Sequence, residues 1–255
     1  MTFPFFWRGP RSGVPAAAAT EDARPGQLCK LLDAAKIEYR RDAPELTLRS
    51  LPATSAPENP LRVEAQPFSF PLAPPARIAM LGGGFHLGRN IREFDVEDIV
   101  WLHSYAPEAL VLALDPALSL ADRKSRGLFE LQSLKTAIVV LTSLADSPLA
   151  DHHRDLLWQA FGVPIFEQLR GWDGTVIARE CEVHDGLHID EAAAIFHLCQ
   201  EELLATQLTA PGNPIIRART GLTGEIASGR CECGAETPRL RNLAAVPIKA
   251  SVAAA

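Results

Sequence analysis

The chain has 255 residues and a mass of 27.7 kDa, room for one large domain or two small ones. With 47% hydrophobic and 22% charged residues it sits near the globular average, which excludes wholesale disorder. A net charge of −6 excludes a nonspecific nucleic-acid binder, which needs a basic face to neutralise phosphates, and no uncharged apolar run reaches the roughly 18 residues of a spanning helix. The opening MTFPFFWRGPRSGVPAAAAT puts apolar residues first and arginines after, the reverse of a signal peptide. Five unevenly spaced cysteines (Cys29, Cys181, Cys199, Cys231, Cys233) do not make a secreted disulfide framework. These features predict a cytoplasmic protein that engages neither nucleic acid nor membrane.

Prolines divide the chain. Twelve fall in residues 1–75 and eight in the remaining 180, so residues 1–75 read as a proline-rich, partly disordered arm in which long helices and central strands cannot form. A short insert interrupts it: QLCKLLDAAK has helical character, and IEYRRDAPELTLRS that follows is strand-like. Residues 76–250 read as an α/β domain. ARIAML is a strand entering the turn Gly82-Gly83-Gly84, and VEDIVWLHSY is a helix stopped by Pro107. PEALVLALDPALSLADRKSRG combines a strand with a helix ending at Gly127, and TAIVVLTS is a β-branched strand covered on both faces. Ser147 and Pro148 predict a capped helix start over 147–161, ending before Gly162. VPIFEQL and TVIARECEV are strands joined by a turn at Trp172-Asp173-Gly174; residues 189–206 hold a helix or a strand plus helix, with His197 and Cys199 in the core; PIIRART is a further strand.

Two constellations carry chemistry. LGGGFHLG, from Leu81 through Gly88, follows a strand as a dinucleotide loop does, with Gly82 and Gly84 in place, but Leu87 stands where the third glycine belongs. The acidic partner, Asp115, lies 33 residues past Gly82 instead of about 20, and His86 is a lone histidine. A tight turn is the plainer reading of this loop. The second set is Cys181, His188 and the pair Cys231-Glu232-Cys233 followed by Gly234. Two close pairs of soft or borderline ligands are what a tetrahedral zinc takes, with His184 competing with His188 for the fourth place. Free, partly buried cysteines or a C-x-C redox pair fit the same spacing.

ECEVHDGLHI (180–189), PIIRART (214–220) and GRCECGAETPRL (229–240) resemble, in order, three blocks of the phenylacetate–CoA ligases, a branch of the adenylate-forming superfamily. The resemblance covers roughly residues 90–245 and also takes in FGVPIFEQL. It implies a partial ligase large domain, a mixed sheet with flanking helices, and a structural zinc held by Cys181, His188, Cys231 and Cys233. The departures imply loss of the nucleotide site. No Ser/Thr/Gly-rich phosphate loop precedes these blocks, and Leu169-Arg170-Gly171-Trp172-Asp173 replaces the motif that carries a glutamate. Gly221-Leu222 stands where an aspartate grips the ribose, and no lysine-bearing C-terminal domain follows IKASVAAA. The expectation is a truncated, non-catalytic relative that binds or scaffolds, partnered by a full-length ligase or by itself. The rival expectations are a half-ligase completed by a partner chain and a nucleotide binder using the loop from Gly82 to Gly88.

Overall fold

The computed structural model describes residues 23–57, 66–82, 85–86, 88–95, 98–209 and 214–246. Two helices, α1 (Ala23–Ala34) and α2 (Pro44–Ser50), come first, followed by the short pair β1 (Gln66–Pro67) and β3 (Phe85–His86) that brackets β2 (Ile78–Leu81). Then come β4 (Ile91–Phe94), α3 (Ile99–Tyr105), β5 (Ala109–Ala113), α4 (Leu114–Ser125), β6 (Ala137–Ser143), α5 (Asp151–Phe161) and β7 (Ile165–Arg170). The rest is strand: β8 (Val176–Glu180), β9 (Leu187–Ile189), β10 (Ala194–Cys199), β11 (Glu202–Gln207), β12 (Ile215–Arg219), β13 (Leu222–Ala227) and β14 (Arg239–Ala245).

The large sheet runs β13-β14-β9-β8-β7-β6-β5-β2-β4. From β4 to β7 neighbours are parallel, and from β7 to β13 they are antiparallel. IAML, ALVLA and AIVVLTS are continuously apolar because both faces of these strands are covered. Alternation along β7 shows the division: Ile165 and Leu169 serve clusters on one face, Phe166 the cluster on the other. Leu102, Leu120 and Leu157, from α3, α4 and α5, fill the first face over the parallel strands. Over the antiparallel strands that face is closed by a three-stranded sheet, β10-β11-β12, through Phe196, Leu203, Ala205 and Ala218. Phe68, Phe70 and Leu72 lie on the opposite face.

The N-terminal insert docks on the outer side of the small sheet. Leu28, Leu31, Leu32 and Leu48 bury themselves against Ile195, Leu208 and Ile216. Thr54 extends this sheet, donating its N–H to the Arg217 carbonyl and accepting from Arg219 N–H.

Three local expectations are corrected. The strand-like stretch after α1 contains α2 instead: Pro44 sits in its first turn, where the missing N–H costs nothing, and helical geometry turns Leu48 into the core. The helix expected from Ser147 starts at Asp151, without a side-chain cap. Residues 144–150 instead cross the strand ends, with Leu144 N–H bonded to the Arg170 carbonyl and Leu149 N–H to Glu167. Residues 189–206 contain no helix, because Leu203 and Ala205 alternate toward the core and Gln200, at φ 59°, turns a β10–β11 hairpin. His197 and Cys199 therefore lie partly exposed on a sheet-edge strand.

Candidate metal centre

The antiparallel strands bring together two loops 50 residues apart. β8 ends at Glu180, and the chain turns at once, His184 N–H bonding the Cys181 carbonyl at 3.1 Å. Gly186, at φ 88°, returns it into β9, which carries His188. Only glycine fits there, since a Cβ would stand 2.5 Å from the Leu240 carbonyl oxygen of β14. The second loop is closed by Gly234 N–H to the Cys231 carbonyl at 2.9 Å and Cys231 N–H to the Ala235 carbonyl at 2.8 Å. Pairing of Arg239 with His188 and of Leu240 with Leu187 joins the two.

One donor atom from each of Cys181, His188, Cys231 and Cys233 lies within 4.8 Å of every other, an arrangement that could hold a metal ion. The spacing can be tested against a tetrahedral ion. Bonds of about 2.3 Å to sulfur and about 2.0–2.1 Å to nitrogen separate two sulfurs by about 3.8 Å and sulfur from nitrogen by about 3.6 Å. Cys181 Sγ and Cys231 Sγ are 3.9 Å apart, and Cys233 Sγ is 3.5 Å from His188 Nε2. The donor set fits. The other imidazole nitrogen, Nδ1, lies 2.9 Å from Thr237 Oγ1.

Electrostatics favour the proton-bearing thiol at Cys181 and at Cys233. Burial pushes the Cys181 thiol up, and the neighbouring Cys233 and Cys231 add to this; burial also raises Cys233. Burial lowers His188, helped by Arg239, while Asp185 and Glu182 oppose it, leaving the neutral ring that ligation requires. Arg239, itself buried, reaches Asp185 at 3.5 Å and donates to the Gly229 carbonyl; Arg241 also pairs with Asp185.

His184 is not a donor. Its ring stacks on Phe166, with centroids 4.8 Å apart, and its Nδ1 lies 3.3 Å from Glu180 Oε1. Glu180, only 6% exposed, accepts from Arg154 Nη1 of α5 at 3.1 Å and from Glu167 N–H at 2.8 Å through its other oxygen. Sequence spacing offered no sign of Glu180, Thr237 or Arg239 as supports, because their roles arise from cross-strand register.

Gly82 and Asp115 follow the ends of the neighbouring parallel strands β2 and β5, whose Leu81 and Leu112 pair. Gly82 leaves β2 at φ 93°, but residues 83, 84 and 87 of the glycine loop lie outside the described residues; His86 is in β3, and Asp115 opens α4. Asp173 is buried, its carboxylate accepting from Gln207 Nε2 at 2.7 Å, Thr209 Oγ1 at 2.6 Å and Thr175 N–H at 2.9 Å. Arg219 pairs with Glu202, and Leu222 is 3% exposed within the core between the two sheets.

Solved structures share this architecture. 2-Hydroxyisobutyryl-CoA ligase, in complex with 2-HIB-AMP and CoA in the thioesterification state, matches with a TM-score of 0.58 at 13% identity over 93% of this chain and 70% of that one. The chain shares its fold with part of this acyl-CoA ligase. An open conformation of the same ligase gives 0.53 at 15% identity, covering 66% of this chain and 44% of the ligase, and a postadenylation state gives 0.53 at 14%, covering 86% and 46%. The chain thus spans less than half the length of the ligase chains in these last two states. No family model and no curated protein matches it. Among the described residues, no helix is long and apolar enough to cross a membrane.

Proposed function

We propose that the chain is a zinc-containing, non-catalytic relative of the phenylacetate–CoA ligases, acting in the cytoplasm as a binding or scaffold subunit beside a full-length ligase or a second copy of itself. The observation that carries this reading is Leu222. Where the resemblance calls for a ribose-gripping aspartate, this side chain is packed into the inter-sheet core. A leucine offers no acceptor for ribose hydroxyls, and Asp173 has its carboxylate committed to Gln207, Thr209 and Thr175. Without such donors and acceptors, a phosphoanhydride is neither positioned nor stabilised for acyl transfer.

Cys181, His188, Cys231 and Cys233 would hold the zinc. Bound there, the ion supplies a cross-link and no open coordination position, which makes it structural. Its effect is to fasten the Cys181–His188 segment to the Cys231–Cys233 loop across the β9–β14 pairing. Metal analysis of purified protein should find about one zinc per chain. Calorimetric titration with ATP, AMP and NAD should show no binding; ATP binding would overturn the non-catalytic reading, and selective NAD binding would transfer the function to the loop from Gly82 to Gly88.

The half-ligase reading draws on one observation, the 44–46% of the ligase length that the chain spans in two of the matched structures. It predicts acyl-dependent ATP–pyrophosphate exchange that appears only when a partner chain is added.

A further inference from the structure

We propose that Thr237 is the positioning residue that decides which nitrogen of His188 reaches the metal, an inference resting on the metal-centre reading above. An imidazole has two nitrogens, and ligation through one requires the proton to sit on the other. Here Nε2 is 3.5 Å from Cys233 Sγ and Nδ1 is 2.9 Å from Thr237 Oγ1. The ring therefore ligates through Nε2 and donates Nδ1–H to the threonine hydroxyl.

Three features of one short segment make Thr237 suited to this. The residue after it, Pro238, accepts the Ile189 N–H through its carbonyl at 2.8 Å, which locks this segment against the end of β9, next to His188. Proline fixes φ at 238 and restricts the backbone of the preceding Thr237, which limits how far this segment can shift. The next residue, Arg239, stands directly opposite His188 across the β9–β14 pair and is 4% exposed. Three thiolates and a divalent ion sum to one net negative charge, and Arg239 sets a buried positive charge beside it. Thr237, Pro238 and Arg239 thus supply the acceptor, the register and the counter-charge for one ligand. The ligand residues attract attention by their chemistry; this segment acts through its register.

The experiment uses the full chain and zinc, with affinity measured by competition against a chromophoric chelator. Thr237→Val keeps the shape and removes the hydroxyl, leaving the hydrogen bond between the ring and the Thr237 backbone in place; zinc should bind about 10–100-fold more weakly, and Thr237→Ser should return to within about threefold of wild type. In the zinc-loaded wild type, nitrogen–proton correlation spectra of His188 should place the proton on Nδ1 and the metal on Nε2. Equal affinity in wild type and Thr237→Val, or a proton on Nε2, overturns the proposal. Should Thr237→Val fail to fold, the wild-type spectrum decides alone. A wild type that takes up no zinc removes the metal centre itself and this inference with it, a result distinct from equal affinities in the two proteins.

Discussion

The parallel and antiparallel halves of the large sheet are held by different physics. In β2, β5 and β6 nearly every side chain is apolar and buried on both faces, so cohesion is spread over many contacts. In β8, β9 and β14 one face is apolar while the other carries Arg179, His188 and Arg239 in direct cross-strand register. Arg179 is answered by Asp190 at 3.1 Å and Arg239 by Asp185 at 3.5 Å, and His188, one of the four residues that could hold a metal, stands between the two arginines. The first half tolerates the loss of one contact by degrees. The second concentrates its order in a few polar groups, and should fail at a point.

The strongest way to break this contrast is to remove the donors. Cys231→Ala with Cys233→Ala should abolish metal uptake and lower Tm by roughly 10 °C or more, since a structural zinc is worth several kcal/mol of folding free energy. Amide exchange should accelerate in β9 and β14 while β5 and β6 stay protected; uniform acceleration would show that the halves are not separate. Leu157→Ala, in the apolar half, should cost about 2–5 kcal/mol and leave metal affinity unchanged, measured by denaturant titration and chelator competition. Gly186→Ala pushes β9 off the Leu240 carbonyl and should cost more than about 1 kcal/mol, weakening metal binding as well.

The smallest effects are in pH. Burial raises the carboxyl of Glu167, which accepts from Thr142 Oγ1 and Leu149 N–H. A folded-state pKa above the unfolded value gives stability that is full below the ordinary glutamate pKa of about 4.3 and declines as pH rises through the folded value. Glu167→Gln keeps an acceptor without the charge, so its stability relative to wild type should increase from pH 4 to pH 7. The raised thiols of Cys181 and Cys233 act the same way in the metal-free protein, whose stability should fall above the ordinary thiol pKa of about 8.5. With metal bound the slope reverses, because acid then returns protons to the thiolates and expels the ion. Thermal melts across pH, with and without chelator, check both signs.

Legibility followed the same division. β2, β5 and β6 could be read because double-sided burial leaves continuous apolar runs, whereas β4, IREF with one buried residue, went unread. The helices could be read because Pro107, Gly127 and Gly162 punctuate them. The four residues that could hold a metal stand out because thiols and imidazoles are rare and chemically distinctive. What hid was whatever depends on register. β13 and β14 mix apolar with charged residues and are interrupted by Gly224 and Asn242, so LTGEIA and RLRNLAA show no clean alternation. The helical character of residues 44–50 depends on the small sheet beneath Leu48, a partner that local patterning does not reveal. His184 and His188 are equivalent by spacing, and only the stack on Phe166 and the contact with Glu180 separate them.

Glu180 gives the centre a property of its own. One carboxylate oxygen is held by Arg154 and the Glu167 amide, the other by His184, so the residue cannot rotate to relieve one side without releasing the other. The turn presenting Cys181 is therefore preorganised by the protein core before any ion arrives. A site of that kind discriminates by coordination geometry, because it adapts poorly to an ion that wants more ligands or longer bonds. It also gives up little conformational entropy on binding, so the affinity gained per bond is retained.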